Sequence, residues 1–515
     1  MAAADEAAVA SGTPVEVLMD RAGRAVARTA IRMMGGRYGK KVVVVCGKGN
    51  NGGDGYAAAR VLLLEGVGVR CMAVVDPDEL KGAARAHYEK ARAAGVQVGP
   101  FDPDRLSCDL VVDAILGTGF EGTVDRSDPV GRAIEALWDL KLGEVVEEDG
   151  NETHARPPVW PIPLVLSVDI PSGIDGATGH IEGSFVVADA TISMVAEKLG
   201  TFLAPTRYTG EVEIADIGIE PTSASAYVMD RSSVAAAFPP RSESANKRTS
   251  GALAILAGSD AMPGAAALVA RAAMRAGCGH VSLGCTSEVA QVVKSLCPEV
   301  LVHVISEKAH LGLDAIDRFA AVLERCSAVV VGPGLGVGRD QRDLVLGLIE
   351  SIRKPLLLDA DALNVMESAI DAMSAADNLT MTPHPAELGR LLGYDVQKVQ
   401  EDRLGAAREA SERSGGVVLL KGARSVIAGA GSVWLNPTGG SELATAGTGD
   451  VLSGVAGAFL ANRSNLTDML VAAAAHVHGL SGSIAAERTG EPGIVAWDVA
   501  EALPEAMEII RDGVA

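Results

Sequence analysis

Between Lys41 and Val195, short apolar runs rich in valine and isoleucine alternate with segments whose apolar residues recur every three to four positions. The runs at 42–46, 67–75, 109–116, 164–170 and 190–195 predict strands, and 56–65, 82–94 and 129–140 predict helices. Continuous apolar strands separated by helices are the pattern of a parallel sheet covered on both faces. Ahead of them, 14–34 predicts a helix. On it Arg21, Arg24, Arg28 and Arg32 form a stripe opposite Leu18, Ala22, Val26 and Ala30, which is read as a solvated face.

Two stretches interrupt the alternation. Residues 143–163 turn acidic and then proline-rich, predicting an exposed loop inserted between a helix and a strand. His154 within it is assigned no role. Residues 221–247, rich in Ser, Ala and Pro and without sustained periodicity, predict a domain boundary near residue 230. The alternation then restarts, with strands at 252–257, 280–283, 328–331, 355–358 and 417–420, a helix at 264–276, and a long helical region from Asp450. No internal repeat relates the halves. Two fused α/β domains, 1–230 and 231–515, are therefore expected, and 515 residues exceed one comfortable core.

The net charge of −21 argues against nucleic acid and anionic membranes as partners, because both need clustered Lys and Arg. It leaves small anionic substrates open, since a local loop can bind phosphate within an acidic protein. Seven scattered cysteines without a C-x-x-C pair predict buried thiols in a reducing compartment, not a zinc site. There is no basic-then-apolar leader pattern and no run of about 18 apolar residues, so a cytoplasmic chain without a membrane span is expected.

Two glycine-rich segments carry the candidate chemistry. Gly49-Asn50-Asn51-Gly52-Gly53-Asp54-Gly55 directly follows the first apolar run, and Ala446-Gly447-Thr448-Gly449-Asp450 directly precedes an apolar helix. Glycines let backbone N–H groups approach a phosphate, and a following helix adds its positive end. The first segment lacks both the dinucleotide fingerprint and a Walker lysine. Its asparagines and Asp54 supply oxygens that suit a cation beside a phosphate. Asp113 in Asp113-Ala114-Ile115-Leu116-Gly117-Thr118-Gly119 and Asp169 in Ser167-Val168-Asp169-Ile170-Pro171-Ser172-Gly173 end strands of the same predicted sheet. Carboxyl ends of parallel strands converge on the ligand crevice, so Asn51, Asp113, Asp169 and Ser172 are expected to meet there. Asp169 is the candidate acid or base, with Lys198 as its charged neighbour. In the second half Asp450, just inside a helix, is placed to take a proton from an attacking hydroxyl.

GNNGGDG, DAILGTG and VDIPSG, preceded by Leu18-Met19-Asp20-Arg21-Ala22-Gly23, resemble the NAD(P)H-hydrate epimerase family across residues 14–220. The resemblance implies a Rossmann-like three-layer domain that interconverts the C6 epimers of hydrated NADH or NADPH (NADHX, NADPHX) with bound K⁺. It implies hydrate contacts from Asn50, Asn51, Gly52, Gly53, Asp54, Gly117, Thr118, Gly119, Phe120, Glu121, Gly122, Thr123 and Asp169. It also implies potassium ligands at Asn51, Asp113 and Ser172, and proton transfer by Asp169. The 143–163 insertion is longer than the family's usual connection.

GPGLG, DADALN, TPHPAE, KGARS and AGTGD, in that order across residues 240–510, resemble the ribokinase-like family and its NAD(P)H-hydrate dehydratase branch. This implies a ribokinase-like α/β/α domain in which a nucleotide with Mg²⁺ phosphorylates the C6 hydroxyl of the S epimer and loss of phosphate regenerates NAD(P)H. Lys421, Gly422, Ala423, Arg424, Ser425 and Gly449 would bind the adenine nucleotide. Ala265, Gly334, His384 and Asp450 would contact the hydrate, with Asp450 as base. ADP is the nucleotide the resemblance favours, and ATP stays open because adenine and ribose contacts do not count phosphates. The resemblance also implies a homo-oligomer. One alternative is a ribokinase-like small-molecule kinase with a non-catalytic N-terminal binding or oligomerisation module.

Overall fold

The computed structural model describes residues 8–10, 12–120, 122–142, 145–148, 151–154, 162–221, 224–238, 250–462 and 468–513. The chain divides into two compact units, Met1–Ala224 and Ser225–Ala515. The division falls a few residues before the boundary expected near 230, because Tyr227–Val228 pairs with a strand of the second unit.

The first unit contains β1 (Lys41–Cys46), β2 (Gly68–Ala73), β3 (Gln97–Pro100), β4 (Leu110–Ala114), β5 (Val145–Glu148), β6 (Asn151–His154), β7 (Leu164–Val168), β8 (Ala190–Met194) and β9 (Glu211–Ala215). Seven of these form one parallel sheet in the order β3-β2-β1-β4-β7-β8-β9. The continuous valine run of β1 reflects burial on both faces. Val42, Val44 and Cys46 belong to the core that includes helices Val15–Met33 and Asn50–Leu64. Val43 and Val45 face the opposite core, with helix Pro129–Leu142. The arginine stripe of Val15–Met33 is exposed, as expected.

Two expectations are corrected here. The 143–163 segment is not simply a loop: β5 and β6 pair antiparallel within it. Within it, residues 143–144, 149–150 and 155–161 lie outside the described residues. In addition, Asn50–Gly55 is not a free glycine loop. Helix Asn50–Leu64 begins within it, with Gly49 as its extended N-cap.

The second unit contains β10 (Tyr227–Val228), β11 (Ala252–Leu256), β12 (His280–Thr286), β13 (Leu301–Ser306), β14 (Ala328–Val331), β15 (Leu356–Leu358), β16 (Leu379–Met381), β17 (Val417–Leu420), β18 (Val426–Ala428) and β19 (Val433–Leu435). They form one sheet in the order β10-β19-β18-β17-β16-β15-β14-β11-β12-β13. From β17 to β13 the pairing is parallel, whereas β18 and β19 turn back antiparallel. No strand was expected at β10, β13, β16, β18 or β19. β10 has two residues, β16, β18 and β19 have three each, and β13 carries exposed positions, too little pattern to read. Helices Pro263–Arg275, Thr448–Ala461, Asp468–Thr489 and Ala496–Asp512 share one large core with β11, β12 and β14. Small residues allow their close approach: a Cβ on Gly454 would run into the Val269 carbonyl oxygen. Asp468–Thr489 is long and apolar enough to pass for a membrane span, but 78% of that stretch is buried inside the unit.

Candidate functional site

In the first unit the carboxyl ends of β1 and β4, at the point where strand order reverses, open into a cavity of about 690 Å³. Gly49, Asn50, Asn51 and Asp54 line it from the start of helix Asn50–Leu64. Gly117, Thr118, Gly119 and Phe120 line it from beyond β4, and Asp169 from beyond β7. The free N–H groups of a helix's first turn face any anion placed there.

Gly52 and Gly53 are not part of this lining; they lie buried beneath it. A Cβ on Gly52 would collide with the Gly47 carbonyl oxygen, and Gly53 packs on Met19. These glycines let the helix sit against the strand ends, a packing role where a phosphate contact was expected. Gly23 does the same for helix Val15–Met33, where a Cβ would collide with Ala57. Gly122 and Thr123 are exposed and outside the cavity lining, and Glu121 lies outside the described residues.

Asp169 stands at φ +69°, a left-handed conformation that is strained for a residue with a Cβ. Its Oδ1 is 2.7 Å from the Lys198 ammonium and accepts from the Met194 N–H at 3.3 Å. Lys198 in turn donates to Ser193 Oγ, the Met194 carbonyl and the Ala196 carbonyl. The expected Asp169–Lys198 pair is therefore present, and the lysine is itself fixed.

Behind the cavity, Asp113 is fully buried and accepts from Ser167 Oγ (2.9 Å), Ser172 N (2.9 Å), Ser172 Oγ (2.6 Å) and Ile115 N (3.3 Å). Burial raises its pKa above the ordinary carboxylate value, against the pull of these donors. Ser172 Oγ accepts from the Leu116 N–H, and Asn51 Nδ2 donates to the Leu116 carbonyl at 2.6 Å. Asn51, Asp113 and Ser172 thus meet around Leu116. Asn51 Oδ1 is buried with no hydrogen-bond partner among the described residues.

In the second unit the site forms where β15, β16 and β17 end beside helix Thr448–Ala461. Gly447 is the helix N-cap at φ +88°, and Asp450 lies in the first turn. Burial, and next the Asp359 carboxylate, push the Asp450 carboxyl up to about 7, opposed by the Lys421 charge. Lys421 is held by two other carboxylates, Asp359 at 2.8 Å and Glu387 at 3.7 Å, and Ser453 Oγ donates to Asp359 at 2.6 Å. The lysine expected to bind nucleotide therefore also stands at the centre of a carboxylate cluster. A Cβ on Gly449 would lie 3.6 Å from its Nζ, which brings the KGARS and AGTGD segments together.

Gly422, Ala423, Arg424 and Ser425 form the turn between β17 and β18. Gly422 (φ +148°) and Arg424 (φ +55°) are both left-handed, and the Ala423 carbonyl accepts from Arg403 Nη1 at 2.7 Å. Gly334 and Ala265 are neighbours: a Cβ on Gly334 would come 2.8 Å from that of Ala265. Helix Pro263–Arg275 also reaches the Asp450 end, since Leu268 packs against Gly447. His384 is half-exposed and caps helix Pro385–Leu392, its Nδ1 accepting from the Ala386 and Glu387 N–H groups. Its Nε2 lies 3.5 Å from Glu387 Oε1. Burial lowers its pKa. Sequence reasoning named the segments containing Asp359 and Glu387 but missed their bond to Lys421. Ser453 was missed outright, because nothing distinguishes one helical serine from another.

Residues 253–505 match the NAD(P)H-hydrate dehydratase family, and residues 15–200 match the family described as YjeF-related protein N-terminus. The chain is 33% identical to the bifunctional NAD(P)H-hydrate repair enzyme Nnr of Moorella thermoacetica, over 97% of this chain and 94% of that one. It is 32% identical to the enzyme of the same name from Escherichia coli, over 96% and 90%. The second unit's fold is similar to a crystal structure of the ADP/ATP-dependent NAD(P)H-hydrate dehydratase of Bacillus subtilis with ATP and Mg²⁺. That likeness has 29% identity and a TM-score of 0.50, and covers 56% of this chain and 100% of the other. The chain belongs to the bifunctional NAD(P)H-hydrate repair enzymes.

Proposed function

We propose that this chain repairs hydrated NADH and NADPH in two steps, epimerising the R and S hydrates at C6 in its first unit and dehydrating the S hydrate in its second. The observation that carries this reading is one chain holding two aspartate sites of different build. Asp169 faces a cavity and is pinned by Lys198, while Asp450 is held near neutrality at a helix start.

In the first unit the helix start at Asn50 and the 117–120 segment hold the hydrate's anionic part, and Asp169 exchanges a proton at the hydroxylated carbon. Lys198 keeps the carboxylate oriented. Asn51, Asp113 and Ser172, with the Leu116 carbonyl, fit a potassium ion. They form an oxygen-only set, and Asn51 Oδ1 is a buried acceptor that otherwise has no partner among the described residues. Such an ion would add positive charge at this end of the cavity.

In the second unit Asp450 takes the proton of the C6 hydroxyl as that oxygen attacks the nucleotide's terminal phosphorus. The helix start at Gly447–Gly449 stabilises the charge of the transferring group. Departure of phosphate from C6 with loss of a ring proton restores the double bond. The Lys421–Ser425 turn and Gly449 hold the nucleotide, with Ala265, Gly334 and His384 on the hydrate side. ADP is our preferred nucleotide, carrying magnesium on its phosphates. The seven cysteines, all free thiols, suit a reducing compartment, and we read the protein as a cytoplasmic homo-oligomer.

The test is recovery of reduced-nicotinamide absorbance from a chemically prepared NADHX mixture with Mg²⁺ and ADP. Full recovery supports both activities. No recovery with ADP or ATP removes the dehydratase, and a stable phosphorylated product would favour the kinase alternative. Recovery that halts once the S epimer is consumed, with spontaneous epimerisation subtracted, removes the epimerase.

A further inference from the structure

Beside the first unit's cavity lies a second, of about 730 Å³, to which none of the chemistry above gives a role. It lies beyond the carboxyl ends of β2 and β3, whereas the first lies beyond β1 and β4. Val75 lines both cavities, and Val130 of the first is followed along the same helix by Arg132 of the second. The two are neighbours along one edge of the sheet.

Both cavities have apolar walls, and they differ in the groups set into them. The first is set with Asn50, Asn51, Asp54 and Asp169. The second is walled largely by flat or apolar groups, among them Pro77, Tyr88, Val98, Pro100 and Phe101. Tyr88 is fixed edge-on to Tyr56, with ring centroids 5.3 Å apart. Two charged residues complete it. Asp76 follows β2 closely and accepts from the Asp78 N–H at 2.9 Å, which fixes its carboxylate at the strand's end. An acidic group in that place of an open parallel sheet suits ribose hydroxyls. Arg132, in the first turn of helix Pro129–Leu142, makes no ion pair among the described residues and suits a phosphate.

A dinucleotide hydrate has a reacting ring at one end and a flat purine with its ribose at the other. We infer that the second cavity binds the adenosine half of the hydrate while the first holds the reacting half, with the pyrophosphate passing Val75 and the start of helix Pro129–Leu142. This rests on the epimerase reading of the first unit. It assigns purine recognition to residues 73–77 and 98–103, which none of the family motifs includes.

Gly99 offers a specific probe. It lines the second cavity, and a Cβ built on it meets nothing within 4 Å, so a bulky side chain enters open space without displacing the backbone. The experiment compares the wild-type full chain with Gly99→Phe and Gly99→Leu in epimerisation of the R hydrate, the epimers being separated by chromatography. Each is given NADHX and the hydrate of reduced nicotinamide mononucleotide, which has the same reacting carbon but lacks the adenosine half. The expected result is a KM for NADHX raised about tenfold or more in Gly99→Phe and less in Gly99→Leu, with turnover of the mononucleotide hydrate unchanged. Unchanged turnover also shows that the variants fold. Equal losses on both substrates, or an unaltered KM for NADHX in Gly99→Phe, overturn the inference. A wild-type chain that converts neither substrate refutes the epimerase reading itself and the inference with it.

Discussion

Asp169 and Asp450 are the same residue type in similar places, each beside a glycine-bearing turn at the end of a parallel sheet, yet their surroundings differ in how the nearest cation is shared. Asp169 has Lys198 at 2.7 Å, and the lysine's remaining contacts are neutral oxygens. Lys421 beside Asp450 is claimed by Asp359 at 2.8 Å and approached by Glu387 at 3.7 Å. Asp450 is therefore left under-compensated, and burial with the Asp359 charge holds its carboxyl near 7. A group poised near neutral pH suits a proton acceptor in phosphoryl transfer. For Asp450 burial acts first, and the sharing of Lys421 with Asp359 and Glu387 limits how far the lysine offsets it.

Removing each carboxylate's charge separates the two sites most strongly. Asp450→Asn should reduce nucleotide-dependent recovery of NADH by about 10²–10⁴-fold while epimerisation persists. Asp169→Asn should do the reverse, lowering R-to-S conversion by a similar factor and sparing dehydration of the S hydrate. Both are read by chromatography and absorbance in the same preparations. Loss of both activities in either variant would mean that the two sites do not act separately.

Stability gives the next largest effect. Gly52→Ala should cost about 1–3 kcal/mol in denaturant unfolding, because its methyl group must displace the Gly47 carbonyl just after β1. Asp450→Asn should act in the opposite direction. A carboxyl whose folded pKa is raised contributes stability that is full below its unfolded value and is lost as pH rises through about 7. The amide escapes that loss, so Tm at pH 8 should rise by about 2–5 °C.

The smallest effect tests the cause of the difference. Dehydration requires Asp450 ionised, so kcat/KM should fall as pH drops through about 7. Asp359→Asn removes the carboxylate that raises Asp450 and frees Lys421 to pair with it. The acid limb should then move to lower pH by about one unit. A limb that stays in place would assign it to another group.

The layered α/β plan was legible because valine-rich strands buried on two faces leave long apolar runs, as in β1 and β4. The Asp169–Lys198 pair was legible too, since both follow adjacent strands, β7 and β8. The helical start at Asn50 was not. Two asparagines and three glycines in six residues are poor helix formers, and the helix holds there because Gly52 and Gly53 fit against Gly47 and Met19. The antiparallel β18 and β19 were missed for a related reason: three residues carry too little periodicity, and their pairing partners are supplied only by the sheet.

The alternation of buried strands with helices, the two-unit plan and the motifs that end the strands could be read from the chain alone, because these depend on burial patterns and backbone conformations encoded over a few neighbouring residues. The folded chain alone shows which glycines are packing surfaces, that Asn51, Asp113 and Ser172 converge on Leu116, and that Lys421 is held by Asp359 and Glu387 beside Asp450. Those outcomes depend on distances between segments far apart in the chain, and on burial that changes the energy of a charge without changing a single residue.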